Sequence, residues 1–276
     1  MAVPGLTARF IRLCSPSVVR VCVLLAAGTN CDQETAYAFK LVGAQPEVVH
    51  INQFKKRERR LKDFEILVIP GGFSYGDYIS SGRVLANELR HNLQDDLADF
   101  HAAGKPILGI CNGFQVLVKC GLLPAFDRLF EPQTVTLDTN DSCRYEDRWV
   151  YLKVEDSPCI FTKGIESPCY LPVAHAEGKF LASSPETLMK LNESRQIALR
   201  YTTPAGDPAE YPDNPNGSEQ SVAGICDPSG RVFGLMPHPE RFVRQEQHPR
   251  WQRERLTKPQ GIAIFQNAVS HVRQNV

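Results

Sequence analysis

The sequence is short of several things, and each shortage closes off a class of protein. None of its apolar runs approaches the roughly 20 residues that a membrane-spanning helix needs. Charge of neither sign is in excess: 31 basic and 31 acidic residues cancel over 276 residues. Nothing therefore draws the whole chain to nucleic acid or to an acidic lipid surface. The nine cysteines contain no C-x-x-C pair and match no zinc framework. Their odd, scattered placement fits a reducing compartment, so the expected location is the cytoplasm. Internal repeats, low-complexity tracts and a convincing domain boundary are all missing. One stretch has the G-x-x-x-x-G spacing of a phosphate loop, from Gly71 to Gly76, but Asp77 stands where that motif needs lysine. A carboxylate there repels phosphate, which argues against nucleotide binding at that loop.

The first twenty residues carry Arg9, Arg12 and Arg20 and no acid, a composition shared with transit peptides. They lack the long apolar core of a secretory signal. Residues 1–17 are expected to form a poorly ordered extension before a domain covering residues 18–276.

What is present is an alternation of short apolar runs and helical patterns. Val18–Ala26 reads as a buried strand, Pro46–Ile51 as a second strand and Glu65–Ile69 as a third, apolar one. A helix is expected over Asp32–Val42, capped by Thr29 or Asn30 and stopped at Gly43. A second is expected over Arg83–Ala103, with its apolar stripe at Val84, Leu85, Leu89, Leu93, Leu97 and Phe100. The basic run Lys55–Arg60 reads as a solvated face. From about Thr134 to Asp156 the pattern alternates, which suggests an antiparallel extension of the sheet. Thr202–Ser218 is rich in Pro, Gly, Asp and Asn and reads as a long loop. Val222–Cys226 and Val232–Met236 flank Asp227-Pro228-Ser229-Gly230 as a hairpin. A last helix is expected over Ile262–Val272. The expected fold is α/β: a mostly parallel open sheet with helices on both faces and a short antiparallel extension. In such sheets the working groups gather at the C-terminal ends of the strands.

The most informative stretch is Pro106–Leu117. An apolar strand ends at Cys111, a helical pattern begins at once, and glycines stand two residues to either side. Gly109-x-Cys111-x-Gly113 is the strand–nucleophile–helix elbow with sulfur in place of a hydroxyl. The free N–H groups of the following helix would stabilise negative charge on the sulfur, and later an oxyanion. A buried core cysteine is the plain alternative. Cys31, also at a predicted strand end, is the rival nucleophile; without an elbow it reads as structural. The other seven cysteines have no catalytic setting.

A base is offered by Pro237-His238-Pro239-Glu240, at the end of another predicted strand. The prolines stiffen the chain around the imidazole. Glu240 could accept the Nδ1–H of His238 and leave Nε2 free to take the proton of Cys111. A surface turn holding a chance His and Glu is the alternative. After the third strand, Pro70-Gly71-Gly72 could turn the N–H of Gly72 into one oxyanion donor, with the N–H of Asn112 as the other.

These features together resemble a class I glutamine amidotransferase. More narrowly, Gly28–Asp32, Gly71–Asp77, Cys111–Gln115 and His175–Phe180 are similar to the PurQ-type glutaminases of phosphoribosylformylglycinamidine synthase. The resemblance covers nearly the whole chain from Val18 and implies the flavodoxin-like fold of that class. It implies that Cys111 attacks the side-chain amide of glutamine, that His238 and Glu240 complete the triad, and that Gly72 and Asn112 hold the oxyanion. It also implies that Gln115 binds the substrate glutamine, and that His175 and Glu177 lie near that pocket or at an interface. No metal or cofactor is implied in this chain. ATP and magnesium belong to a partner synthetase of the PurL type, often accompanied by a small PurS subunit. Another class I glutaminase or a γ-glutamyl hydrolase, and a non-catalytic scaffold subunit, are the alternatives.

Overall fold

Four parallel strand ends converge on one point, and the path of the chain explains why. The computed structural model describes residues 18–254 and 258–276. The expected extension at residues 1–17, with Cys14, lies outside the described residues. Among the described residues eleven strands follow in order: β1 (Arg20–Leu25), β2 (Gln45–His50), β3 (Ile66–Ile69), β4 (Ile107–Ile110), β5 (Val135–Asp138), β6 (Glu146–Val154), β7 (Cys169–His175), β8 (Lys179–Ala182), β9 (Ile197–Thr202), β10 (Val222–Cys226) and β11 (Val232–Leu235). Between them run α1 (Asp32–Leu41), α2 (Ile51–Lys55), α3 (Arg83–Asn92), α4 (Gln94–Ala102), α5 (Asn112–Cys120), α6 (Pro185–Glu193), α7 (Trp251–Glu254) and α8 (Ile262–Asn275).

The main sheet has nine strands in the order β2-β1-β3-β4-β11-β10-β9-β6-β7. The first five are mutually parallel, and the rest pair antiparallel. The expected antiparallel extension is therefore present, and it takes in four of the nine strands. β5 and β8 form a separate two-stranded sheet. β3, β4 and β11 are buried at every position, as central parallel strands between helix layers must be. α1 packs with α8, and α3 packs with α5 over β3 and β4, so helices cover both faces.

Some local expectations change. The expected helix over Arg83–Ala103 is two helices, broken at Leu93 (φ −131°, ψ 14°). Leu93 stays buried, so the apolar stripe runs through the break without recording it. Neither Thr29 nor Asn30 caps α1: its N-cap is Cys31, whose side chain accepts no capping hydrogen bond from the helix. Thr29 Oγ1 instead accepts the N–H of Ala26, and Asp32 and Glu34 in the first turn offset the helix dipole. Among the described residues no helix is long and apolar enough to cross a membrane.

Candidate active site

β1, β3, β4 and β11 lie side by side and parallel, so their C-terminal ends share one rim. Just beyond those ends stand Cys31, Gly72, Cys111 and His238. All four line one small cavity of about 50 Å³, with Tyr145 and Arg241.

Cys111 has φ 51° and ψ −106°, a left-handed conformation that a residue with a Cβ rarely adopts. The bend turns β4 directly into α5. The flanking glycines serve this packing. A Cβ on Gly113 would sit 1.8 Å from the carbonyl oxygen of Ile69, and one on Gly109 would sit 2.5 Å from Leu117 Cδ1. α5 thus lies hard against β3 and β4, with all nine of its residues buried. The Cys111 sulfur is 3.7 Å from the carbonyl oxygen of Ala174 at the end of β7.

His238 and Glu240 form a buried pair, Nδ1 to Oε1 2.5 Å, with side chains 2% and 0% exposed. A buried charge is tolerable only when it is paired like this. Burial alone would push the His238 pKa down. The carboxylate of Glu240 and the neighbouring Cys111 outweigh it, so the ring is held well above the ordinary histidine range. The Cys111 and Cys31 sulfurs both face the ring. Nε2 is buried and makes no hydrogen bond of normal geometry. The backbone N–H of His238 donates to Pro172 O of β7 at 2.8 Å, which fixes the turn from the far edge of the sheet.

Gly72 pairs with Thr29 in an isolated antiparallel bridge. The bonds of that bridge are made by its neighbours: Phe73 N to Gly28 O at 2.9 Å and Asn30 N to Gly71 O at 3.5 Å. Gly72 therefore keeps its own N–H pointing away from Thr29 and available. Its φ is +140°, and a Cβ would lie 2.7 Å from Asn30 N, so only glycine fits. Asn112 opens α5, and the first N–H groups of a helix have no carbonyl partner within it.

The side chains of Asn112 and Gln115 are engaged elsewhere. Asn112 Oδ1 accepts from Ser74 N, and its Nδ2 donates to Asp77 Oδ1 and to Gln115 Oε1. Gln115 Nε2 donates to Glu177 O at 2.5 Å. Glu177 Oε2 accepts from Ser81 N. Lys119 Nζ donates to Ser81 O. This buried polar web joins the loop after β3, the elbow helix and the 175–179 turn. Gln115 spends both ends of its amide inside it. Asp77, whose carboxylate argues against phosphate at this loop, is a strut of the same web.

His175 is buried at 3% exposure, with Nδ1 3.2 Å from Asn140 Oδ1. Burial drives its pKa down to about 3, and the charge on His238 adds to the effect. His175 is therefore an interior residue, while Glu177 is half-buried and Ala176 between them is exposed.

Sequence reasoning set Cys31 aside as structural, yet it lines the cavity. Its sulfur accepts from Arg241 Nη2 at 3.2 Å, and Arg241 Nε pairs with Glu34 Oε1 at 3.0 Å. Burial pushes the Cys31 pKa up to about 11, partly offset by contact with His238. Arg241 and Tyr145 carried no signal beyond standing near His238 in sequence or after a short polar loop.

Comparison with known proteins matches residues 18–272 to the family of the CobB/CobQ-like glutamine amidotransferase domain. A phosphoribosylformylglycinamidine synthase subunit PurQ from Dehalococcoides mccartyi is 51% identical over 94% of this chain and 99% of its own. One from Methanococcus maripaludis is 45% identical over 92% of this chain and 97% of its own. Among solved structures, a chain of PurLQS from Thermotoga maritima superposes with a TM-score of 0.70 at 32% identity, covering 92% of this chain and 99% of that one. The protein described here belongs to the CobB/CobQ-like glutamine amidotransferase family.

Proposed function

We propose that the chain is the glutaminase subunit of a phosphoribosylformylglycinamidine synthase, acting in the cytoplasm with a PurL-type synthetase and a small PurS-type subunit. Cys111 attacks the side-chain amide carbon of glutamine. His238 takes the thiol proton and gives it to the departing nitrogen, which leaves as ammonia. A glutamyl thioester remains, and water deprotonated by His238 hydrolyses it to glutamate and regenerates the thiol. Both tetrahedral oxyanions receive hydrogen bonds from the N–H groups of Gly72 and Asn112. Glu240 holds the imidazole in one tautomer and supports its charge. ATP and magnesium act in the partner, which uses the ammonia to convert formylglycinamide ribonucleotide to the amidine. Gln115 keeps the elbow helix and the 175–179 turn in register, and His175 and Glu177 brace that turn.

The observation that carries this reading is the left-handed Cys111 at a strand–helix elbow, sharing one cavity with Gly72 and with a buried His238–Glu240 pair. The relatives named PurQ narrow the reaction to purine synthesis. The test is reconstitution with the synthetase, the small subunit, ATP, magnesium and the ribonucleotide. Glutamine should support amidine formation, and Cys111→Ala should lower that rate by roughly a thousandfold or more. Ammonium salts should restore the Cys111→Ala complex. Unchanged glutamine-dependent activity in Cys111→Ala would mean a scaffold; glutaminase activity without amidine formation would mean another member of the class.

A further inference from the structure

Cys31 has no part in the reaction above, yet its sulfur stands inside the same buried cluster. Cys31 Sγ, a ring nitrogen of His238 and a carboxylate oxygen of Glu240 all lie within 4.8 Å of one another, and all three residues are buried. Glu240 Oε2, in a fully buried side chain, accepts no hydrogen bond. Gly71 has no side chain to fill the space between sulfur and ring. A Cβ there would sit 3.1 Å from Cys31 Sγ, 2.8 Å from His238 Cε1 and 3.5 Å from His238 Nδ1.

We propose that Cys31, His238 and Glu240 form a binding site for a soft divalent cation of the zinc class, and that filling it switches off ammonia release. A thiolate, an imidazole and a carboxylate are the donor set such ions prefer, and a hard ion such as magnesium gains little from sulfur. Zn–S bonds of about 2.3 Å and Zn–N bonds of about 2.0 Å put neighbouring ligand atoms roughly 3.3–3.8 Å apart. Reaching that size takes side-chain movements of about 1 Å: the sulfur closes in from no more than 4.8 Å, and the Nδ1–Oε1 pair opens from 2.5 Å. The cation displaces two protons to water, one from the Cys31 thiol and one from the hydrogen bond between His238 and Glu240. The charge of the site is therefore unchanged. The remaining coordination position faces the cavity, where water completes the shell. The Arg241 guanidinium opposes a cation at this sulfur, and its hydrogen bond to Cys31 must be given up. Its Nε keeps the pairing with Glu34 Oε1 at 3.0 Å. The inhibitory half of the proposal rests on the glutaminase reading: with metal between ring and carboxylate, His238 loses its orienter and cannot serve as base.

The test uses the full chain with Cys143→Ser, which removes an exposed competing thiol. Equilibrium dialysis with zinc should give one ion per chain. Cobalt should give a sulfur-to-metal charge-transfer band. Cys31→Ala and Cys31→Ser should each lose the band and weaken zinc binding by roughly tenfold or more. Cys111→Ala should keep both. X-ray absorption of the zinc-loaded Cys143→Ser chain, which needs no change at Cys31, should show one sulfur among nitrogen and oxygen ligands. Zinc should lower glutamine-dependent ammonia release in the Cys31-containing chain, reversed by a chelator, and should lose that effect in the Cys31 variants. A shell without sulfur, or a band that survives in Cys31→Ala, overturns the site. A chain that binds zinc through Cys31 but releases no ammonia from glutamine leaves the site standing and overturns the functional reading instead.

Discussion

Two buried histidines show how one residue type is driven in opposite directions by its neighbours. His238 sits against a carboxylate and is held charged more readily than free imidazole. His175 sits against an amide and a glycine backbone, with no anion to offset burial, and its pKa falls from 6.5 to about 3. The two contribute to stability with opposite sign. For His238 the contribution is fully present below the unfolded pKa of about 6.5 and is lost as pH rises through the raised folded value. For His175 the unfolded chain takes up a proton that the folded chain refuses, so stability drops as pH falls from about 6.5 towards 3. Each pH unit in that window costs up to about 1.4 kcal/mol. His175→Gln should therefore flatten the acid limb of a plot of urea midpoint against pH; parallel limbs for the two proteins would count against it. Cys111, His238 and Glu240 were legible in the sequence because each closes or follows a short apolar run, and strand ends are where such sheets place chemistry. Cys31 was not, because its share in the cavity depends on where α1 begins and on Arg241, which is 210 positions away.

Among the elements, the elbow between β4 and α5 governs the rest of the rim. Its position is set by contact between backbones: the Gly113 Cα faces the Ile69 carbonyl with no room for a methyl group. Gly113→Ala should push α5 off β3 and destabilise the protein by about 3 kcal/mol, with overpacking as the cause. Chemical denaturation reads the loss. Since α5 also carries the N–H of Asn112, glutamine turnover should fall further than the folded fraction does. Near-native stability in Gly113→Ala would show that the elbow yields. The inner parallel strands β1, β3, β4 and β11 were readable because burial on both faces leaves apolar runs, which the edge strand β2 does not share. The hairpin of β10 and β11 was readable from its turn. The break at Leu93 was not, because a leucine there satisfies the helical stripe whether or not the helix continues. β8 was also missed, since Lys179–Ala182 is four residues long and finds its partner, β5, some forty positions upstream.

At the scale of the whole molecule, the site is assembled from both halves of the sheet. β7 is the last strand at the antiparallel edge, four places from β11 in the strand order. Even so, its Pro172 carbonyl accepts the His238 N–H, and its Ala174 carbonyl meets the Cys111 sulfur. A flat sheet could not bring these together. The accumulated twist of successive strands carries the far edge back over the parallel rim. No local pattern in the sequence encodes that return, because it is the sum of small rotations across the intervening strands. One consequence can be measured. The N–H of Cys111 is bonded to Leu235 O within the parallel half, whereas the N–H of His238 is bonded to Pro172 O across the two halves. If the halves unfold as one unit, both amides exchange with solvent only through global unfolding and report the same free energy. Native-state hydrogen exchange should show them falling together with core amides such as Leu108. Faster exchange at His238 alone would mean that the antiparallel half lifts away independently, and the proposed base would then be the mobile member of the site.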